Sequence, residues 1–155
     1  MDRWDGRTYR RVLPFRAGLV EVAVMQTGPS ETPRLCVTVG GSALRPELKQ
    51  AVTADMERLL GFRTDMEAFY SFASRDAVLG PLAQRFRGMK PPRFATVFES
   101  VLTAIASQQV TRTLSVLLLN RLTTSYGVAF HEGESTAYAF PRMEDLATIS
   151  PADLR

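Results

Sequence analysis

The chain has one cysteine, Cys36, one histidine, His131, and two lysines, Lys49 and Lys90, in 155 residues. A lone cysteine excludes an internal disulfide and suits a reduced, cytoplasmic setting. One cysteine and one histidine, 95 positions apart, do not make a zinc site. No apolar run exceeds four residues, Val116–Leu119 being one, against the ~18 that a membrane helix needs. The start, Met1-Asp2-Arg3-Trp4-Asp5, is polar and lacks the apolar stretch of a signal peptide. There is no GxSxG elbow, no P-loop and no GxGxxG turn. Cys36 reads as a small packed strand residue, and His131 as an exposed loop residue. No metal, no cofactor and no membrane is expected.

What is abundant is arginine. The formal charge is +3, and the basic residues are grouped. Arg3, Arg7, Arg10, Arg11 and Arg16 crowd the first stretch. Arg85, Arg87, Lys90 and Arg93 fall together with no acid among them. Arg112 and Arg121 lie in a stretch from 100 to 131 without a carboxylate. From 132 onward acids dominate. The planar guanidinium fork suits phosphate oxygens, but a net charge this small is a weak nucleic-acid signal. A GC-rich genome is the main explanation of the arginine-to-lysine ratio, and the positions of the arginines say more than the ratio.

The first third alternates as strands do. Thr8–Leu13 forms a short strand. Val20, Val22 and Val24 share one face of a strand over Leu19–Thr27, and Leu35, Val37 and Val39 share one over Arg34–Val39. Gly28 to Pro33 turns between the latter two, giving an antiparallel hairpin whose polar face need not be covered. Pro46 then opens a helix that runs to Leu60 and stops at Gly61. Asp65 and Asp76 can cap two further helices, carrying Phe69, Phe72 and Ala73, then Val78, Leu79, Leu82 and Phe86, all read as core. Gly88-Met89-Lys90-Pro91-Pro92-Arg93 breaks the helical pattern and reads as a linker. Beyond it, Phe94, Val97, Phe98, Val101, Leu102 and Ile105 make a wide apolar helical face. Thr111 caps a second helix, with Leu114, Leu117, Leu118, Leu122 and Tyr126, that stops at Gly127. Pro141 and Pro151 precede short acidic turns. The expected organisation is an N-terminal α+β domain over 1–87, a linker over 88–93 and an incomplete helical domain over 94–155.

The stretch Phe98-Glu99-Ser100-Val101-Leu102-Thr103-Ala104-Ile105-Ala106-Ser107-Gln108-Gln109-Val110-Thr111, with Arg121-Leu122 and Tyr126-Gly127 after it, resembles the opening of the helix–hairpin–helix DNA glycosylase domain. Within that superfamily it is most similar to the bacterial DNA-3-methyladenine glycosylase II type. Phe140 to Ala147 and Ser150 to Arg155 resemble that family's next segment, and Met56 to Tyr70 and Gly88 to Phe94 its N-terminal part. The resemblance implies a small antiparallel sheet with flanking helices, like half of a TATA-binding protein, followed by the first helices of an all-α glycosylase domain. It implies base-excision repair on double-stranded DNA, in which a damaged, alkylated purine is extruded and its N-glycosidic bond hydrolysed.

The family's intercalating wedge maps to Gln109, with Gln108 beside it at the edge of the lesion pocket. An amide at the wedge departs from the apolar residue of the enzyme type it most resembles, which bears on lesion choice. Arg112, Lys90 and Arg93 are candidate phosphate contacts, each weighed against a solvated surface role. Phe15 matches an early pocket aromatic, with core packing the competing role. The chain has no Leu-Pro-Gly-x-Gly-like hairpin, and none of its seven aspartates (2, 5, 55, 65, 76, 145, 153) has the context of the family's catalytic aspartate. No catalytic residue is assigned. The 155-residue chain is expected to be the N-terminal half of a glycosylase, inactive alone and prone to self-association through unpaired helix faces. The alternative is a non-catalytic DNA-binding or interaction module derived from a glycosylase. An all-helical residue range 1–86 would mark the likeness as chance.

Overall fold

The computed structural model describes residues 1–16, 18–29, 32–41, 43–150 and 152–153. Four strands among the described residues up to Gly40 form an antiparallel sheet in the order β1-β2-β3-β4. Its strands are β1 (Arg3–Trp4), β2 (Thr8–Phe15), β3 (Gly18–Gln26) and β4 (Leu35–Gly40). The two-residue β1 has too little alternation to be legible in sequence. Leu13 pairs with Val20, Arg11 with Val22 and Tyr9 with Val24, so all six point to one face. Helix α1 (Pro46–Leu59), with Pro46 at its first turn, covers that face. Leu48, Val52 and Met56 pack on Leu13, Val20, Val22 and Val24. Each such buried side chain contributes about 1.5–3 kcal/mol.

The opposite face, whose cover the alternation left open, is covered at its Val12 end. A second two-stranded sheet, β5 (Ala129–Glu132) and β6 (Ser135–Tyr138), lays Phe130 and Ala137 against Val12, with Leu19 and Ala139 beside them. Gly41 shows how close the approach is: it sits at φ +84, and a Cβ there would meet the Phe130 ring at 2.3 Å. His131 therefore lies in a strand rather than a loop, exposed, with Nδ1 3.1 Å from Thr136 Oγ1. Cys36 is also exposed, not packed: level with Met25 and Thr8 on the edge strand β4, it lies away from the Val12 end of this face that β5 and β6 cover.

Helices α2 (Glu67–Ala73) and α3 (Leu79–Arg85) pack on each other, and most of their apolar residues are not core. Ala73 is buried, but Phe69, Phe72, Val78, Leu79, Leu82 and Phe86 are all exposed. The spacing was helical, but the side chains stay largely open to solvent. Asp76 does work as expected, accepting from the backbone N–H groups of Val78 (2.8 Å) and Leu79 (2.9 Å). These bonds, to Leu79 and then Val78, hold its carboxyl below the usual carboxylate value. A depressed folded-state value means that the bonds help above the unfolded pKa and are lost as pH falls through the folded one. Acidification below the usual carboxylate range should therefore fray the start of α3. Amide exchange at Val78 and Leu79 that does not rise on acidification would contradict this.

Helices α4 (Val97–Ala106) and α5 (Arg112–Tyr126) follow, with the short α6 (Met143–Leu146) near the end. Helix α4 begins three residues later than its apolar pattern, because Thr96 is its N-cap and accepts from the Glu99 N–H at 3.1 Å. Thr111 caps α5 through the Leu114 N–H at 3.3 Å. Pro151 lies outside the described residues. Several bonds bridge the expected linker. Arg58 of α1 donates to the carbonyls of Phe94 (2.8 Å) and Ala95 (3.1 Å). Lys90 Nζ donates to the Thr64 carbonyl at 2.9 Å, and Arg93 to Thr64 Oγ1 at 2.9 Å. Residues 88–95 are thus strapped along the end of α1.

Candidate nucleic-acid interface

Helix α4 is inverted relative to its composition. Glu99, at 2% exposure, faces inward, while Val97 and Ile105 are exposed by 81% and 58%. Glu99, Thr103 and Ser107 recur every four residues and so share one face. With Ser115 and Arg112 of α5, that face walls a cleft of about 610 Å³, closed on its other side by Met1, Tyr9, Arg11 and residues 90–94. Thr103 Oγ1 is buried there without a hydrogen-bond partner. The Ser107 and Ser115 hydroxyls meet at 2.7 Å and tie the two helices at the cleft's end.

The turn between α4 and α5 is the conformational outlier of the chain. Gln109 has φ 57, the one non-glycine residue with positive φ among the described residues. A left-handed L-residue costs roughly 1–2 kcal/mol, and such strain gathers at binding sites. Here it is enforced from both sides. The Gln108 N–H closes the last turn of α4 on Ile105 O at 3.1 Å, and two residues on Thr111 starts α5. The result projects the exposed Gln108 and Gln109 from the tip of a helical hairpin. Gln109→Gly should stabilise the chain by about 1 kcal/mol by removing the strain. A denaturation midpoint that is unchanged or lower would show that the turn is unstrained.

The cleft brings together the three expected phosphate contacts, Lys90, Arg93 and Arg112. They are not equally available, since Lys90 and Arg93 already bond Thr64. Arg112 has no hydrogen bond or ion pair among the described residues, and it opens a helix whose first turn has no acid. Its guanidinium and the positive helix end act in the same direction on an anion. Phe15, by contrast, ends β2 half-buried and packs on the core between sheet and α1. It does not line the cleft.

Two residues that sequence reasoning passed over anchor the site. Arg11 Nη2 donates to Glu99 Oε2 at 2.5 Å, and both are buried. Arg11 also lies 3.2 Å from Asp2, whose Oδ1 accepts from the Tyr9 hydroxyl at 2.8 Å. Burial opposes the Arg11 charge, but the Glu99 hydrogen bond and the Asp2 and Glu99 charges outweigh it, holding Arg11 more firmly protonated than usual. Burial and then the Asp2 charge push the Tyr9 hydroxyl up. The available signal was positional: Glu99 is the one acid between 94 and 131, and Arg11 falls on the valine face of its strand. Among the described residues no cluster of three His, Cys, Asp or Glu side chains is placed to hold a metal ion. No described helix is long and apolar enough to cross a membrane.

No protein-family model matches the chain. A DNA-3-methyladenine glycosylase of Bacillus subtilis (strain 168) is 24% identical over 90 residues, covering 58% of this chain and 30% of that protein. Among solved structures, a 3-methyladenine DNA-glycosylase from Archaeoglobus fulgidus matches 99% of this chain and 51% of its own, with a TM-score of 0.80 and 23% identity. The Clostridium acetobutylicum 8-oxoguanine glycosylase/lyase, in complex with double-stranded DNA containing cytosine opposite 8-oxoguanine, matches 99% of this chain and 58% of its own, with a TM-score of 0.67 and 16% identity. The chain thus has a DNA-glycosylase fold over nearly all its length and spans about half of those solved enzymes and less of the curated relative.

Proposed function

We propose that the chain serves base-excision DNA repair as part of a base-flipping glycosylase that hydrolyses the N-glycosidic bond of damaged, alkylated purines. The observation that carries this reading is the match of 99% of the chain to half of a 3-methyladenine glycosylase at a TM-score of 0.80. The physical problem such an enzyme solves is access, because a stacked base hides its glycosidic bond. Gln109, held in the left-handed conformation at the hairpin tip, enters the duplex and fills the gap left by the extruded nucleotide. Its amide offers a donor and an acceptor to the base left behind. Gln108 borders the lesion pocket. Arg112, with the amino end of α5, takes a backbone phosphate, and Lys90 and Arg93 add positive charge along the cleft. Phe15 serves the sheet core. Residues 1–87 supply the α+β part and 94–155 the first helices of the catalytic part, acting on DNA in the cytoplasm.

In isolation the 155-residue chain binds duplex DNA weakly, releases no base and self-associates through its exposed helix faces. A second reading, a stand-alone DNA-binding module, is favoured by one observation: Arg112 and the basic cleft are complete within these residues. Affinity for a 15-base-pair duplex, measured against salt, tests the proposal. Arg112→Ala should weaken binding at every sequence and reduce the slope of log K against log salt by about 1. Gln109→Ala should weaken binding to a duplex with an abasic or mismatched site more than to intact duplex. Binding insensitive to both changes would remove the hairpin tip from the interface. Binding that is tight and salt-dependent would favour the module.

A further inference from the structure

The cleft beside the helical hairpin does not end at the strapped segment. Arg93 borders it and also borders a second concavity of about 470 Å³, which Arg58, Gly61, Arg63 and Thr64 complete. Two observations make these neighbouring stretches of one surface. Leu59 and Leu60, at the end of α1, border the cleft, and the next residue, Gly61, borders the concavity. Thr64 of the concavity accepts from Lys90 through its carbonyl and from Arg93 through its hydroxyl.

The concavity is basic. Its described lining sets Arg58, Arg63 and Arg93 against one carboxylate, Glu57. The end of α1 would bring the negative pole of a helix here, but that end is closed. The carbonyls of Met56, Glu57 and Arg58 accept from the N–H groups of Leu60, Phe62 and Gly61, with Gly61 at φ 63. Arg58 adds a positive charge in the last turn. The three arginines are held differently. Arg58 is tied to Asp55 and to the carbonyls of Phe94 and Ala95, and Arg93 to Thr64. The Arg63 side chain is 84% exposed and pairs with Glu57 at the surface. Such a pair is weak in water, whereas a guanidinium fork fits a phosphate with two parallel bonds.

We infer that this concavity is a second phosphate-binding stretch, with Arg63 as its contact residue, and that it carries duplex DNA from the α4–α5 hairpin across the strapped segment onto the end of α1. The N-terminal α+β part then holds DNA directly. Arg93 stands where the two stretches meet, and Arg58 positions the strapped segment through its carbonyls. The inference rests on the reading of the cleft as a duplex interface.

The test measures the affinity of the 155-residue chain for a 15-base-pair duplex between 50 and 200 mM salt. Arg63→Ala should reduce the slope of log K against log salt by about 1. With one counterion fewer released, it costs about threefold more affinity at 50 mM than at 200 mM. Arg63→Lys should restore most of the slope. Glu57→Gln, which removes the competing carboxylate, should tighten binding severalfold. Arg63→Ala should leave the melting temperature unchanged. Arg63→Ala combined with Arg112→Ala should reduce the slope by about 2, with one duplex bound per chain. A slope lowered by Arg112→Ala but not by Arg63→Ala would overturn the inference and leave the cleft reading standing. Two duplexes bound per chain would overturn the continuous path. A slope that neither change lowers would sink the duplex reading of the cleft, and this inference with it.

Discussion

Replacing Glu99 with alanine is expected to destabilise the chain by about 3–5 kcal/mol, the loss typical when one partner of a buried ion pair is removed. That is a large share of the 5–15 kcal/mol that holds an ordinary domain together. The substitution should leave the protein largely unfolded at moderate temperature. The cause is what remains. Arg11 is 5% exposed, faces the valines of β3 and would keep only Asp2 as a counter-charge. Glu99→Gln should cost less, since the amide oxygen still accepts a bond. The double replacement Arg11→Met, Glu99→Leu should recover most of the loss, because no charge is then left buried. Chemical denaturation of the single and double variants checks this. If Glu99→Ala falls within about 0.5 kcal/mol of the parent, a range typical of surface changes, the pair does not hold α4 to the sheet. The pair also sets where the hairpin tip stands, since α4 runs from Glu99 directly to the Gln108–Gln109 turn.

The second large effect is an absence of chemistry. Incubated with an alkylated duplex, the 155-residue chain should release base at the rate of a protein-free control. General acid–base assistance alone is worth about 10²–10⁴-fold, and aspartate is the group through which the resembling enzymes would supply it. Every aspartate here is engaged close by. Asp5 takes the N–H groups of Arg7 and Thr8, Asp65 that of Glu67, and Asp76 those of Val78 and Leu79. Asp145 binds Arg142, Asp153 binds Ser150, Asp55 pairs with Arg58, and Asp2 with Arg11 and Tyr9. The bonds to Thr8 and Arg7 at Asp5, and to Arg142 at Asp145, hold those carboxyls below their usual range. That is the wrong direction for a base at neutral pH. The two buried glutamates, Glu21 and Glu99, are both bound to arginines. Base release above the control, abolished by substitution of any one of these carboxylates, would show that the chain carries its own catalyst.

Local patterns carried far in this chain. The alternation at Val20, Val22 and Val24 and the helical spacing of Leu48, Val52 and Met56 are periodic, and these are the residues buried between the sheet and α1. Thr111 and Gly127 marked the ends of α5 because capping is chemistry between residues close in sequence. The likeness to glycosylases rested on the ordered run from Phe98 to Thr111, which the whole-chain structural match supports. Periodicity names a face, however, and not what lies against it. Phe69, Leu82, Val97 and Ile105 have the spacing of core residues and stand exposed. The pairing of Arg11 with Glu99, 88 positions apart, and the seating of Phe130 on Val12 join distant segments that no local rule links. The left-handed Gln109 sits in the turn between two helices whose Ser107 and Ser115 hydroxyls meet, and nothing in the residue type announces it. The sequence determined most of the elements and carried the likeness to glycosylases. The tertiary structure decided which faces were buried, because burial depends on what the rest of the chain brings alongside.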